Sequence, residues 1–259
     1  MYRAFNLKIN HTDSADYKTG QLLINLQSIS IKKTLDSLLA SNGTIDGKFL
    51  ESVWFPQVEA DVFISHSHAD KDLAIALAGW LKNKLELNAF VDSTIWGYAN
   101  ELLLEIDKTY CTQNGPNNYN YAKRNISTSH VHVMLCAAIT KMMDKAECLM
   151  FLDTPNSIST ENVMDSHETN SPWIYYELGM AGLIQKSKAI HPRRKDLSKS
   201  RKYSSVTEAL ESAPELRIAY PVSFDDMTML NTNDLESWHR LYEQQIPKQD
   251  PLDALYSLF

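Results

Sequence analysis

Four short apolar runs, each set between helical stretches, constrain the fold of this chain most strongly. They lie at Val62–Ile64, Ala89–Val91, Leu149–Leu152 and Ile218–Tyr220. Because these runs lack the apolar–polar alternation of a half-exposed strand, they are typical of strands covered on both faces. The apolar spacing over 70–85 predicts one crossover helix between the first two runs. This alternation of strands and helices predicts an α/β fold with a parallel sheet flanked by helices.

The flanks of this region predict a three-part organisation of the chain. Residues 1–57 are expected to form an N-terminal α+β extension, with a strand at Phe5–Ile9 and a helix around Leu22–Leu39. Residues 58–225 are expected to form the α/β domain, and residues 226–259 a helical tail packed on that domain. The sequence leaves open whether the extension is a separate module or an elaboration of the sheet.

The charges and cysteines exclude several classes of protein. With 25 basic against 32 acidic residues and a net charge of −7, a generic nucleic-acid-binding surface is not expected. No apolar run reaches the roughly 18–20 residues that cross a bilayer, so no membrane partner is expected. The first residues lack the apolar core of a secretion signal. Cys111, Cys136 and Cys148, odd in number and without metal-ligand spacing, indicate reduced thiols of a cytoplasmic protein.

Several standard chemistries have no sequence support. The chain has neither a Walker A loop, nor a dinucleotide-binding Gly-x-Gly-x-x-Gly, nor a Gly-x-Ser-x-Gly nucleophile turn. Gly179 and Gly182 lie inside a predicted helix, where they are expected to permit close packing. His66, His68 and Asp70 are not completed by a carboxylate–histidine cluster, so no metal site is predicted.

One glutamate conflicts with the pattern of its own helix. Ser171 is predicted to cap this helix and Pro172 to occupy its first position. On a helical wheel Glu177 then falls inside the apolar arc, as the only charged residue between Ser171 and Gln185. A buried carboxylate is costly unless it is partnered, and such conflicts are typical of functional sites. The alternative is a structural glutamate satisfied by a neighbouring Arg, Lys or backbone N–H.

Polar side chains follow the predicted strands at the edge of the sheet where ligands bind in open α/β folds. Ser65–His68 leaves the first strand, Asp92–Tyr98 the second and Thr154–Asn156 the third, while Glu177 lies one helix further along. Hydroxyls, imidazoles, an indole and two carboxylates converging on one pocket would suit a ligand built of a sugar and a base.

Each of these residues also has a structural interpretation. Ser67 or Asp70 would serve only as a helix cap. Trp96 would close a loop over the core, and Trp173 would be a core residue. The sequence does not decide between these interpretations and the pocket.

Four sequence elements follow one another in a recognisable order. They are Asp61–Ser65 as a first strand, Phe90–Asp92 and Gly97 as a second strand with the loop after it, Ser171-x-Trp173-x-x-x-Glu177-Leu178, and Ile218–Val222 as a fourth strand. Together they resemble the Toll/interleukin-1 receptor (TIR) domain family over residues 58–225, in its bacterial antiphage-defence (Thoeris-like) type. The resemblance implies a flavodoxin-like parallel sheet, and it names the loop after the second strand the BB loop.

The resemblance also implies an activity. Enzymatic members of the family cleave NAD at the nicotinamide–ribose bond, and Glu177 matches their catalytic glutamate. NAD is then the substrate, and neither a cofactor nor a metal is implied. The residues that would bind the substrate are His66, Ser67, Asp92, Trp96 and Trp173. The sequence departs from the family at Ile174, where a cysteine is usual, and in a short BB loop that carries Trp96 in place of charged residues.

The implied partners follow from the same resemblance. The product would be ADP-ribose, or a cyclic or conjugated ADP-ribose that signals to a separate effector protein in antiphage immunity. Activity would require self-association through the BB loop, and a phage component would be the trigger. The sequence does not fix which product is made.

Two other functions stay open on the sequence. One is a non-catalytic TIR-like interaction module, an adaptor in which Glu177 is a structural remnant. The other is a nucleoside deoxyribosyltransferase-like enzyme, which would release bases from nucleosides and ignore NAD.

Overall fold

The computed structural model describes residues 2–9, 13–28, 44–91, 93, 99–113, 115, 118–159, 167–184, 219–247 and 249–259. The strands are β1 (Arg3–Lys8), β2 (Val62–Ser65), β3 (Ala89–Val91), β4 (Cys148–Leu152), β5 (His167–Thr169), β6 (Tyr220–Val222) and β7 (Thr228–Asn231). The helices are α1 (Ser14–Ser28), α2 (Gly47–Trp54), α3 (Lys71–Leu85), α4 (Ala99–Ile106), α5 (Tyr121–Lys145), α6 (Pro172–Leu183), α7 (Thr232–Gln244) and α8 (Pro251–Tyr256). In these ranges, none of the helices has both the length and the apolar character of a transmembrane span.

A five-stranded parallel sheet forms the centre of the fold, as the apolar runs predict. Its strand order is β3-β2-β4-β1-β7, and every neighbouring pair is parallel. Three of the four apolar runs are confirmed as the strands β2, β3 and β4. Helix α3 connects β2 to β3, as the helical spacing over 70–85 predicts. The α/β fold class is therefore confirmed.

The first 57 residues contribute an inner strand to this sheet. Strand β1 lies between β4 and β7, with Phe5 opposite Met150 on one side and Thr228 on the other. It begins at Arg3, two residues before the predicted start. The described part of the predicted helix, residues 22–28, lies in α1, which begins at Ser14, eight residues before the predicted start. Residues 29–43 lie outside the described residues. At its first strand, the N-terminal segment is thus part of the sheet.

The predicted helical tail also begins with a strand of the sheet. Strand β7 pairs with β1 at the sheet edge, and only then do α7 and α8 follow. The sheet therefore runs across both expected domain boundaries, at 57 and 225. The division of the chain into separate units stays a prediction.

The fourth predicted strand lies elsewhere than expected, and that prediction is wrong about its place. Its described part, β6, pairs antiparallel with β5 in a separate two-stranded sheet, with Tyr220 opposite Thr169. In the flavodoxin-like order 2-1-3-4-5 the fourth place belongs to a strand that follows the third in sequence. Here β1 holds that place. Pro221 has no N–H to donate to a ladder, so β6 suits a short outer pair better than an inner position.

Alternating side chains divide the core into two layers. On one face of the sheet, Ile64 and Val91 pack with residues of α1, α3 and α7. On the other face, Phe63 and Phe151 pack with residues of α5 and α6. Residues of one strand that are two apart therefore point toward the same helices.

Helices α1 and α3 approach each other closely at two glycines. A β-carbon at Gly79 would lie 1.8 Å from the Asp16 carbonyl oxygen, and one at Gly20 would lie 1.9 Å from that of Ile75. Gly179 was expected to serve close packing too. Among the described residues, and apart from the backbone of α6 itself, no heavy atom lies within 4 Å of the position that its β-carbon would take, so no close packing is seen there.

Candidate functional site

Because all five strands are parallel, their carboxyl ends meet at one edge of the sheet. Buried polar residues gather where β2 and β4 end, at Ser65, His66, Asp70, Thr154 and Ser157. This carboxyl edge is where the sequence places the candidate site.

Helix α6 carries Glu177 to this edge. It begins as predicted, with the Ser171 Oγ accepting a hydrogen bond from the Ile174 N–H at 3.3 Å and with Pro172 in the first turn. Glu177 is only 1% exposed and shares its face of the helix with the buried Ile174 and Leu178. The predicted burial of this glutamate is confirmed.

A serine from the end of β2 contacts the buried glutamate. The Ser65 hydroxyl donates to Oε2 of Glu177 over 2.5 Å, and Ser65 is itself fully buried. Ser65 faces α6 because it lies two residues after Phe63, on the same side of the strand. This contact was not predicted from the sequence. The sequence does contain a sign of it, because Ser65 lies two residues after Phe63 in a buried strand and therefore faces the same side.

His66 joins the ends of β2 and β3. Its Nε2 lies 2.6 Å from the Ser93 Oγ, and the imidazole is 6% exposed. Ser67, the next predicted site residue, is half-buried at the start of the His68–Asp70 turn. Its carbonyl accepts from the Asp70 N–H, whereas its side chain makes no cap hydrogen bond. The interpretation of Ser67 as a side-chain cap is therefore wrong.

Asp70 joins the ends of β2 and β4. Its carboxylate accepts from the Thr154 hydroxyl at 2.5 Å and from the Asn156 amide at 2.7 Å. Its side chain makes no cap hydrogen bond to α3, so the capping alternative is wrong here as well. The loops that follow β2 and β4 are thus held together by side-chain hydrogen bonds beside Ser65.

Trp173 and Tyr176 fasten α6 to α5. Trp173 is half-buried and meets His132 edge to face, with ring centroids 5.7 Å apart. The Tyr176 hydroxyl lies 2.6 Å from Thr140 Oγ1 and donates to the Cys136 carbonyl at 3.0 Å. Desolvation lowers the pKa of His132, and burial raises the pKa of Tyr176. The described contacts of Trp173 match its interpretation as a core residue.

Two predicted site residues, Asp92 and Trp96, lie outside the described residues. Of the others, the structure places Glu177 against Ser65 and His66 against Ser93. It places Trp173 against His132 on α5. In the part of the chain that is described, no group of three or more His, Cys, Asp or Glu side chains is arranged to hold a metal ion.

The glycines of α6 open on the opposite side of that helix from Glu177. Gly179 and Gly182 line a cavity of about 240 Å³ beside Ala4, Tyr175 and Asp226. Ala4 lies near the start of β1, so this cavity is at the amino edge of the sheet. A neighbouring cavity of about 410 Å³ also includes Ala4 and Asp226. Glu177 lines neither of them.

A scan of protein-family models, a search of curated proteins and a search of solved structures each gave no match to this chain. The TIR resemblance therefore rests on the sequence motifs alone. Chemically, the site offers a buried carboxylate held by a neutral donor, with an imidazole–hydroxyl pair on the adjoining strand ends. A carboxylate in such surroundings can stabilise positive charge that develops on a bound ligand.

Proposed function

We propose that this protein is an NAD glycohydrolase or cyclase, which cleaves the nicotinamide–ribose bond of NAD with Glu177 as the catalytic residue. The observation that carries the proposal is the burial of Glu177 at the carboxyl edge of the sheet, with Ser65 donating to its carboxylate. This glutamate belongs to the Ser171-x-Trp173-x-x-x-Glu177-Leu178 element that resembles enzymatic TIR domains.

The chemistry of NAD suits a site with one essential carboxylate. Nicotinamide in NAD is a cationic pyridinium and leaves as a neutral molecule, so its departure needs no general acid. A glycosidase with an oxygen leaving group needs two carboxylates, because that oxygen must be protonated. In this proposal Glu177 binds the ribose hydroxyls and stabilises the oxocarbenium-like centre as nicotinamide departs. Electrostatic stabilisation of this kind is worth several kcal/mol in a site that excludes water.

The fate of the ribosyl cation decides the product. Capture by water gives ADP-ribose, whereas capture by the adenine of the same NAD, or by another nucleophile, gives a cyclic or conjugated product. In the proposed role this product signals to an effector protein in the cytoplasm of a bacterium under phage attack. The BB loop, whose residues lie largely outside the described ones, would mediate self-association.

Nicotinamide release from NAD by the purified protein and by Glu177→Gln tests the proposal. The assay is run at high protein concentration with a crowding agent, and then with lysate from infected cells, so that assembly and trigger are both supplied. We expect release by the parent protein and none by Glu177→Gln. Asp107→Asn is the matched control, because Asp107 is another nearly fully buried carboxylate, held by residues of α5. It should keep the activity.

The other outcomes separate the competing functions. Equal release by the parent and Glu177→Gln contradicts the role of Glu177. If neither protein releases nicotinamide even with lysate present, the enzymatic function is contradicted and an adaptor is favoured. A mass spectrum of products from a mixed pool of nucleosides and nucleotides completes the test. Free bases formed from nucleosides, with NAD left intact, would identify a deoxyribosyltransferase-like enzyme instead.

A further inference from the structure

We propose that Ser65 is a positioning residue for the reaction, which fixes the carboxylate of Glu177 in its catalytic orientation. This inference rests on the proposed NAD-cleaving function and adds a residue that acts through Glu177. The contact that supports it joins two residues 112 positions apart in the sequence, over 2.5 Å between Oγ and Oε2.

Ser65 is well placed to hold another side chain still. It ends β2, which is hydrogen-bonded to β3 on one side and to β4 on the other. It lies opposite Phe151 in the parallel register and is fully buried. A glutamate has three rotatable side-chain bonds, and ordering such a side chain costs free energy. A donor fixed on an inner strand offsets that cost before the substrate arrives.

The chemistry of the donor matters as much as its position. A hydrogen bond from a hydroxyl to an ionised carboxylate is stronger than one between neutral groups. A serine hydroxyl carries no net charge, so it orients the carboxylate without cancelling its negative charge. That charge is what a developing oxocarbenium centre needs nearby.

The contact between Ser65 and Glu177 depends on the register of β2 in the sheet. Because alternate residues of β2 face opposite layers, Phe63 and Ser65 face α6 whereas Val62 and Ile64 face α3. A shift of the strand by one residue would turn the hydroxyl away from Glu177. The register of β2 therefore brings the donor to the carboxylate.

The test compares nicotinamide release by the parent, Ser65→Ala and Ser65→Thr. We expect Ser65→Ala to lower kcat by about 100-fold, as misplacement of a catalytic group does, while KM changes by less than about threefold. Ser65→Thr keeps the hydroxyl and should restore most of kcat. Ser127→Ala is the matched control, because Ser127 is also a buried serine that donates to a buried carboxylate, that of Asp107. It should leave kcat unchanged.

Stability measurements test the contact without relying on activity. Unfolding in denaturant of Ser65→Ala, Glu177→Gln and the double variant should show non-additive effects, since contacting residues couple. Strict additivity overturns the inference, and so does a Ser65→Ala variant that keeps the parent kcat. A loss of kcat that Ser65→Thr does not restore also overturns it. If the parent shows no Glu177-dependent release, the proposed function fails and this inference fails with it.

Discussion

Two buried carboxylates in this protein have similar surroundings and different proposed roles. Asp107 lies just after α4 and is 2% exposed, while Glu177 lies on α6 and is 1% exposed. Each accepts a hydrogen bond from a buried serine, from Ser127 at 2.6 Å and from Ser65 at 2.5 Å respectively. Burial and a serine donor therefore do not by themselves mark a functional carboxylate.

The difference lies in their positions in the fold. The Arg124 Nε lies 2.8 Å from Asp107, so a cation matches that carboxylate, and the group ties α4 to α5. Glu177 has a neutral donor in Ser65, lies among apolar residues such as Ile174 and Leu178, and faces the carboxyl edge of the sheet. We propose that Asp107 stabilises the packing of α4 on α5, whereas Glu177 serves the proposed reaction at the carboxyl edge of the sheet.

The largest expected effect is the loss of activity when Glu177 becomes an apolar residue of similar length. Glu177→Met should reduce nicotinamide release by roughly 1,000-fold, since it removes the charge that stabilises the transition state. Its free energy of unfolding should fall by no more than about 2 kcal/mol, because the fully buried Ser65 hydroxyl loses its acceptor while the cost of burying the charge is removed. Kinetics and urea unfolding of the same preparation check both. A strongly destabilised variant would make Glu177 a structural carboxylate like Asp107.

The next effect is on stability at the other carboxylate. Arg124→Ala removes the ion pair to the buried Asp107 and should cost about 1–2 kcal/mol of unfolding free energy, because Arg124 is half-exposed and Ser127 still donates to Asp107. Nicotinamide release at a temperature well below the melting point should not change. Urea unfolding measures the first quantity and the nicotinamide assay the second. A loss of activity in the folded variant would end the contrast between the two regions.

A smaller effect is expected where α6 meets α5. Tyr176→Phe removes the hydrogen bond to the Cys136 carbonyl and should cost about 1 kcal/mol of unfolding free energy. Because the change lies next to Glu177 in sequence, it also tests how firmly α6 must be held. We expect activity to fall far less than in Glu177→Met, and thermal unfolding and kinetics together measure this. A loss as large as that of Glu177→Met would mean that the helix position, and not the carboxylate, limits the reaction.

A substitution on the side of α6 away from Glu177 tests the same comparison with a change that should stabilise the protein. Gly179→Ala meets open space and replaces a flexible residue within a helix, so it should stabilise the protein by about 0.5–1 kcal/mol. Nicotinamide release should not change, although Gly179 is two residues from Glu177. Thermal unfolding and the same kinetic assay provide the measurement. Reduced activity would show that the cavity beside Gly179 takes part in substrate binding.

The smallest expected effect is a loss of stability at acidic pH. Desolvation lowers the pKa of His132, which contacts Trp173, below the value of about 6.5 for a free histidine. The unfolded chain then binds a proton more readily than the folded protein, so stability is greatest above about pH 6.5 and decreases as the pH falls below it. When the pH is lowered through about 6.5, the melting temperature should decrease more for the parent than for His132→Gln. Equal decreases for the two proteins would mean that His132 does not contribute to the pH dependence of stability.

Much of the fold and part of the site could be predicted from local patterns. Runs such as Val62–Ile64 identify buried strands, and the Ser171–Pro172 pair marks the start of α6, because both depend on residues close together in the chain. The apolar arc of α6 predicts the burial of Glu177 for the same reason.

The wrong predictions concern positions in the sheet that more than one segment of the chain could occupy. Ile218–Val222 and Arg3–Lys8 both have strand character, and the sequence does not state which of them enters the sheet beside β4. An inner position requires donors along both edges, and Pro221 has none to offer, so β1 takes that place. The partner of Asp70 was missed because Thr154 lies 84 residues away.

Local sequence patterns therefore establish the α/β class, four of the five strands of the sheet, the start of α6 and the buried position of Glu177. Only the tertiary structure decided that β1 is an inner strand, that β6 lies outside the parallel sheet and that Ser65 donates to Glu177. The reason is the distance along the chain over which each kind of interaction acts. Periodicity and helix capping act within a few residues, whereas strand order and side-chain pairing depend on which distant segments bury their surfaces together.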